Sequence, residues 1–219
     1  MARNKYPEET VEKILTAARR LFLEKGYEKT TIQDIVDQLG GLTKGAIYHH
    51  FKSKEDIMCA LGDYLFEERN PFEAVRGRAN MNGLEKIREV VRITQAPDWA
   101  QLSRECIPLL ENPRILAENI RQNHEISTPN FQALIEEGIA DGSIRTQYPK
   151  ELAELMTLLP NLWLAPSVIP GTREELFRRF CCLGEMLEHM GLPLFNKEIL
   201  DLGDRFFQGL EEEDSQKPL

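Results

Sequence analysis

Two adjacent glycines, Gly40 and Gly41, interrupt an amphipathic helical pattern running from Val11 to Leu65, and this break limits what the chain can fold into. Glycine lacks a Cβ, so the pair supplies a chain reversal that other residues resist. Before it, Val11, Ile14, Leu15, Ala18, Leu21 and Phe22 recur at helical spacing, which predicts a helix over residues 8–25 closed by Gly26. Thr30 followed by Gln33, and Thr31 followed by Asp34, offer two registers for a capped second start. Ile32, Ile35, Val36 and Leu39 then give that helix, about eight residues long, its buried face. After the glycines, Thr43 can cap a short helix from Lys44 to His50 whose apolar side is Ala46, Ile47 and Phe51. Ser53 caps the next start with Asp56 at N3, and Ile57, Leu61, Tyr64 and Leu65 carry a fourth helix toward Asn70-Pro71.

The rest of the chain keeps helical periodicity, with candidates near 82–95, 98–111, 113–127, 129–141, 150–164, 173–190 and 196–212. Kinks or breaks are expected at Pro108 and Pro129. No stretch alternates like a strand, so the expected fold class is all-α: an N-terminal three-helix head plus a helical body. The expected division is a head domain over 1–54, a body domain over 55–212 and a disordered tail over 213–219. No apolar run is long enough to span a membrane, and MARNKYPEE lacks the features of a signal peptide, so the expected location is the cytoplasm, with no membrane partner. Cys59, Cys106, Cys181 and Cys182 follow no disulfide or metal spacing and read as reduced, small core residues.

A net charge of −9 argues at first against a polyanionic partner, but its distribution reverses the argument. Residues 1–55 hold ten Lys or Arg against eight Asp or Glu, whereas residues 56–219 hold 17 against 28. A mildly basic head on an acidic body suits a DNA reader whose body faces away from the duplex.

Three short helices with a tight glycine turn between the last two have the spacing of a helix-turn-helix, and the second of that pair is the reader. Gly45 and Ala46 are small where a backbone must approach a groove floor. Thr43, Lys44 and Tyr48 can reach base edges or phosphates, Lys52 and Lys54 can pair with the flanking backbone, and Thr31 adds a hydroxyl at a helix start. The run GYEKTTIQDIVDQLGGLTKGAIYHHFKSKEDI resembles the DNA-binding head of the tetracycline-repressor (TetR) family over roughly residues 8–60. Gly26-Tyr27, Thr30-Thr31, Ile35, Leu39-Gly40 and the stretch Lys44 to Lys54 carry the likeness. Gly40-Gly41-Leu42 departs from it, since many members have Ala-Gly-Val there. The resemblance implies that Thr43, Lys44, Gly45 and Tyr48 face bases or adjoining backbone, and that Thr31, His49, Lys52 and Lys54 face phosphates. His50 is left open, and Phe51 is assigned to the core.

The resemblance also implies that residues 1–54 are a helix-turn-helix DNA-binding domain and residues 55–212 a helical ligand-binding (effector-binding) and dimerisation domain, with a homodimer on a palindromic double-stranded operator and release by a small-molecule effector, which is unidentified. On that template, Leu152, Leu155, Met156, Leu159, Leu162 and Trp163, together with Leu176, Phe177, Phe180, Leu183, Gly184 and Leu187, would pair with their twofold mates, although the same stripes suit an intrachain core. Candidate effector-lining residues are Trp99, His124, Phe131, Met156 and Trp163, while Arg88, Arg92 and Arg104 are candidates for an anionic effector or for surface ion pairs. The chain has no nucleophile elbow, phosphate loop or ligand-spaced His or carboxylate cluster, so no enzyme, metal or cofactor is expected. Competing readings are a helical interaction module without effector response, and an activator.

Overall fold

A computed structural model describes residues 7–215, with the side chains of residues 8–211. Every regular element among the described residues is helical. The chain divides into two compact units, one ending at Asn70 and the other starting at Pro71.

In the first unit α1 spans Pro7–Lys25, α2 Ile32–Gln38, α3 Lys44–His50 and α4 Lys54–Glu68. The apolar stripe of α1 is buried as its spacing requires, with Ile14, Ala18 and Phe22 fully enclosed alongside Leu15 and Leu21. Ile35 of α2, Ile47 of α3 and Ile57, Met58, Leu61 and Leu65 of α4 complete this small core. Of the two cap registers open to α2, the fold uses the second. Thr31 accepts from the Asp34 amide while the Asp34 carboxylate accepts from the Thr31 amide, a reciprocal capping box. Thr30 turns inward instead, its hydroxyl donating to the Gly26 carbonyl at 2.8 Å. The turn between α2 and α3 needs its glycines for conformation. Gly40 has φ +44° and Gly41 φ +112°, yet a Cβ on either would meet nothing within 4 Å.

The second unit contains α5 (Pro71–Val75), α6 (Gly83–Thr94), α7 (Pro97–Cys106), α8 (Pro113–Gln122), α9 (Thr128–Asp141), α10 (Pro149–Leu162), α11 (Arg173–His189) and α12 (Lys197–Ser215). Helix α9 lies against both α6 and α10, and α12 against α6, α7 and α11. Its core joins Leu84, Ile87, Ile135, Ile144, Leu152, Leu183, Leu187 and Phe207. The α6–α9 crossing is set by two glycines. A Cβ on Gly83 would stand 2.2 Å from the Gly138 amide nitrogen, and the Gly83 N–H donates to the Asp141 carboxylate at 2.7 Å.

Several expectations change. At Pro108 the helix tightens into a 3-10 stretch, Ile107–Glu111, as a proline lacking an N–H imposes. No break falls at Pro129. It sits in the first turn of α9, where its missing donor costs no bond, and a π-helical stretch over Asn123–Ser127 joins α8 to α9. The short α5 was not anticipated. Helix α4 falls in the unit that ends at Asn70, and α12 runs to Ser215, while residues 216–219 lie outside the described residues. All four cysteines are free thiols, but none is fully buried, and Cys59 and Cys182 are exposed, so they are not core residues. No helix among the described residues is long and apolar enough to cross a membrane.

Close packing at Gly83 makes Gly83→Ala destabilising by about 1–3 kcal/mol through overpacking. Gly62→Ala, within α4 and open around its Cβ, should stabilise by about 0.5–1 kcal/mol. Urea unfolding of the two variants checks the contrast.

Candidate nucleic-acid interface

Helix α3 has seven residues, too short to persist by its own hydrogen bonds, so its position must be imposed from outside. Two devices do this. The Thr43 Oγ accepts from the Ala46 amide at 3.3 Å, starting the helix, and Ile47 and Phe51 are buried beneath it. Phe51 therefore closes the helix onto the core, as the sequence implies.

With Ile47 and Phe51 inward, the remaining side chains are displayed. Thr43, Lys44, Gly45, Tyr48 and His49 are exposed, Tyr48 to 52%, while Ala46 and His50 are half-buried. The His49 and His50 rings meet edge to face at 5.2 Å. Lys52 is also exposed. Its amide donates to Asp56, whose own amide is capped by Ser53, so the link to α4 is fixed while the Lys52 ammonium stays outside it. Several cations of this unit are engaged: Arg19 with Glu68 at 3.2 Å, Arg20 with Glu24 at 2.8 Å and Lys25 with Asp34 at 2.8 Å. Lys44 and Lys52 make no ion pair among the described residues.

Two of the nine candidates are placed differently from expectation. The Thr31 hydroxyl donates to the Asp34 carboxylate at 2.7 Å, so its proton serves the cap of α2. The Lys54 ammonium donates to the Tyr27 carbonyl at 2.8 Å and lies 4.1 Å from the centroid of the Tyr27 ring. Lys29, which the sequence reading did not single out, is exposed immediately before the Thr30-Thr31 pair. A lysine in a short polar turn gave no periodic signal to single it out.

Three of the five body candidates share one core cluster and two lie outside it. Phe131 meets Phe72 edge to face at 4.9 Å and packs on the core, where Met156 and Trp163 also lie. His124 is exposed on the π-helical stretch, which corrects its assignment to a cavity wall, and Trp99 is half-buried on α7 outside that cluster. The expected dimer stripes change as well. Leu152, Met156, Leu176, Leu183 and Leu187 belong to the chain's own core, and a Cβ on Gly184 would strike the Phe195 ring at 2.6 Å, so Gly184 serves an internal contact. Arg88 donates to the carbonyls of Pro193 and Leu194, and Arg92 pairs with Glu89, which leaves neither waiting for an anion.

An exposed, tyrosine- and lysine-bearing second helix behind a glycine turn defines a helix-turn-helix DNA-binding head. Residues 14–61 match the model of the bacterial regulatory proteins of the tetR family. The head, over residues 14–61, is thus a DNA-binding head of the tetR-family kind. It is 26% identical over 147 residues to the HTH-type transcriptional repressor AcnR of Corynebacterium glutamicum, covering 67% of this chain and 74% of that protein. It is 45% identical over 60 residues to the HTH-type transcriptional regulator TtgR of Pseudomonas putida, covering 27% and 28%. A TetR-family regulator from Pectobacterium atrosepticum shares the fold with a TM-score of 0.59 at 23% identity, over 87% of this chain and 98% of that one.

Electrostatics at α2 generate a prediction. The Lys25 ammonium, with the Thr31 amide and hydroxyl, holds the Asp34 carboxyl far below the usual carboxylate range. A depressed carboxyl contributes stability that is fully present above its unfolded value, about pH 4, and is lost as pH falls toward its folded value. Asp34→Asn should therefore melt below the wild type at neutral pH. In thermal melts across pH, that gap should narrow only below about pH 4.

Proposed function

We propose that this chain is an effector-responsive repressor that reads double-stranded DNA with α3 as a homodimer. The observation that carries the reading is the pairing of an inward anchor, Ile47 and Phe51, with an outward face of Thr43, Lys44, Gly45, Ala46 and Tyr48 on one short helix. Gly45 and Ala46 keep that face low enough for the groove floor. Lys44 and Tyr48 supply the donors that read base edges, while His49 and Lys52 neutralise phosphates on either side. Thr31, at the start of α2, faces the backbone through its position rather than a free hydroxyl proton. The repressor reading is supported by the likeness to the repressor AcnR, which extends over most of that protein's length.

A reader of one short helix gains specificity by duplication. Two copies of α3 spaced ~34–36 Å apart, or a multiple of it, read two half-sites of an imperfect palindrome. The outer faces of α10 and α11 are suited to the twofold contact. Leu158 is 37% and Met186 41% exposed, on helices whose inner stripes are already used. The effector acts in the second unit, through which α4 is drawn as a lever that changes the spacing of the two heads. Release follows from lost register, with α3 itself unchanged. The action is binding and release; no reaction is assigned.

Tyr48→Ala and Lys44→Ala should each keep the melting profile of the wild type, since both side chains are exposed. Each should lower affinity for a fragment selected from the parent genome at least about tenfold, given ~1–3 kcal/mol per base contact. Titrations by fluorescence anisotropy measure this, and unchanged affinity in both variants overturns the reading.

A further inference from the structure

Lys54 occupies the first turn of α4, where the helix dipole disfavours a cation, and its ammonium is directed to another element altogether. It donates to the Tyr27 carbonyl at 2.8 Å and approaches the Glu28 carbonyl at 3.4 Å. The Tyr27 carbonyl is also the acceptor of the turn that follows α1, taking the Thr30 amide at 3.2 Å. Tyr27 is buried, and its ring meets Phe22 of α1 at 5.2 Å, so the platform under the ammonium is rigid. Carbonyls of the turn just after α1 and the face of an aromatic ring are both attractive to a cation, and they oppose the unfavourable end of α4.

The consequence reaches the reading helix. The turn at 27–30 delivers Thr31, the cap of α2, and α2 packs against α3. Helix α4 is the last element before the chain passes at Asn70 into the second unit. We propose that Lys54 is a positioning residue for DNA binding. It ties the first turn of α4 to the α1–α2 turn, so that the placement of α2 and α3 follows α4, and it is not itself a phosphate contact. The proposal rests on the DNA-binding reading and deepens it, naming the tie through which a movement of α4 is passed to the reader. Lys52, two residues earlier, is the contrast: exposed and without an ion pair among the described residues, it is the phosphate contact of this segment.

The full-length protein and its Lys54→Met and Lys52→Met variants separate the two roles. Binding to a mixed-sequence duplex about three helical turns long is titrated across salt, and amide hydrogen exchange over residues 26–34 is followed without DNA. Methionine keeps an apolar stem over the Tyr27 ring and removes the donor. Lys52→Met should lower the slope of log affinity against log salt by about 0.9 for each phosphate that is no longer neutralised, and leave exchange unchanged. Lys54→Met should keep the wild-type slope, weaken binding by the same factor at every salt concentration, and accelerate exchange over 26–34 severalfold. A reduced slope in Lys54→Met, or unchanged exchange over 26–34, overturns the proposal. If Lys54→Met does not fold, Lys54→Gln, which retains a neutral N–H donor, is read by the same two measurements. If the wild type does not bind the duplex, the functional reading fails, and the exchange comparison alone still decides the role of Lys54.

Discussion

The burial of Ile47 is the interaction on which the rest of the head depends. A seven-residue helix gains too few internal hydrogen bonds to offset its ordering, so α3 exists because one isoleucine, helped by Phe51 at its carboxyl end and Thr43 at its start, is held by the core. That core is the α1 stripe, Ile14, Ala18 and Phe22, closed over by Ile35 of α2 and Ile57 and Leu61 of α4. Once Ile47 points inward, helical geometry alone decides that Lys44, Gly45 and Tyr48 point out. Recognition and stability thus use opposite faces of the same helix, and exposed residues can change the one without the other.

Charge is divided on the same principle. Arg19, Arg20, Lys25 and Lys54 are engaged within the head by carboxylates or carbonyls; Arg19–Glu68 links α1 to α4 and Lys25–Asp34 links α1 to α2. Lys44 and Lys52, like Lys13 and Lys29, make no ion pair among the described residues, and the proposed reading assigns the first two to a polyanion. Up to Asn70 the chain holds 11 Lys or Arg against 12 Asp or Glu, so the mildly basic balance of residues 1–55 does not extend to the whole unit and net charge says little. The cations that matter are the ones the fold does not neutralise. The acidic balance of residues 56–219 repels a duplex at long range and favours docking by the head.

Local signals were readable wherever chemistry is local. The caps at Thr31, Thr43 and Ser53, the stop at Gly26 and the reversal at Gly40-Gly41 each follow from a hydrogen bond or a backbone angle within four residues. Partner choice was not readable. Periodicity shows that Leu152 and Leu183 are covered but not by what, and the covering is the chain's own core rather than a second copy. Gly184 signals close approach without naming Phe195 as the group that approaches. The carbonyl contact of Lys54 was hidden for the same reason. Its acceptor, Tyr27, lies 27 residues away, and a lysine next to a reading helix looks the same in sequence whether it meets a phosphate or a carbonyl. His124 failed differently. The π-helical stretch shifts the helical register around it, so spacing from α8 no longer predicts which side it takes.

The central claim, that α3 is the surface that meets DNA, is tested most directly by amide chemical-shift mapping during titration with a duplex selected from the parent genome. The account predicts perturbations concentrated at Thr31 and from Thr43 to Lys52, with Ile14 and Phe22 in the core little changed. Perturbations confined to the second unit, with α3 silent while the duplex binds, would contradict it.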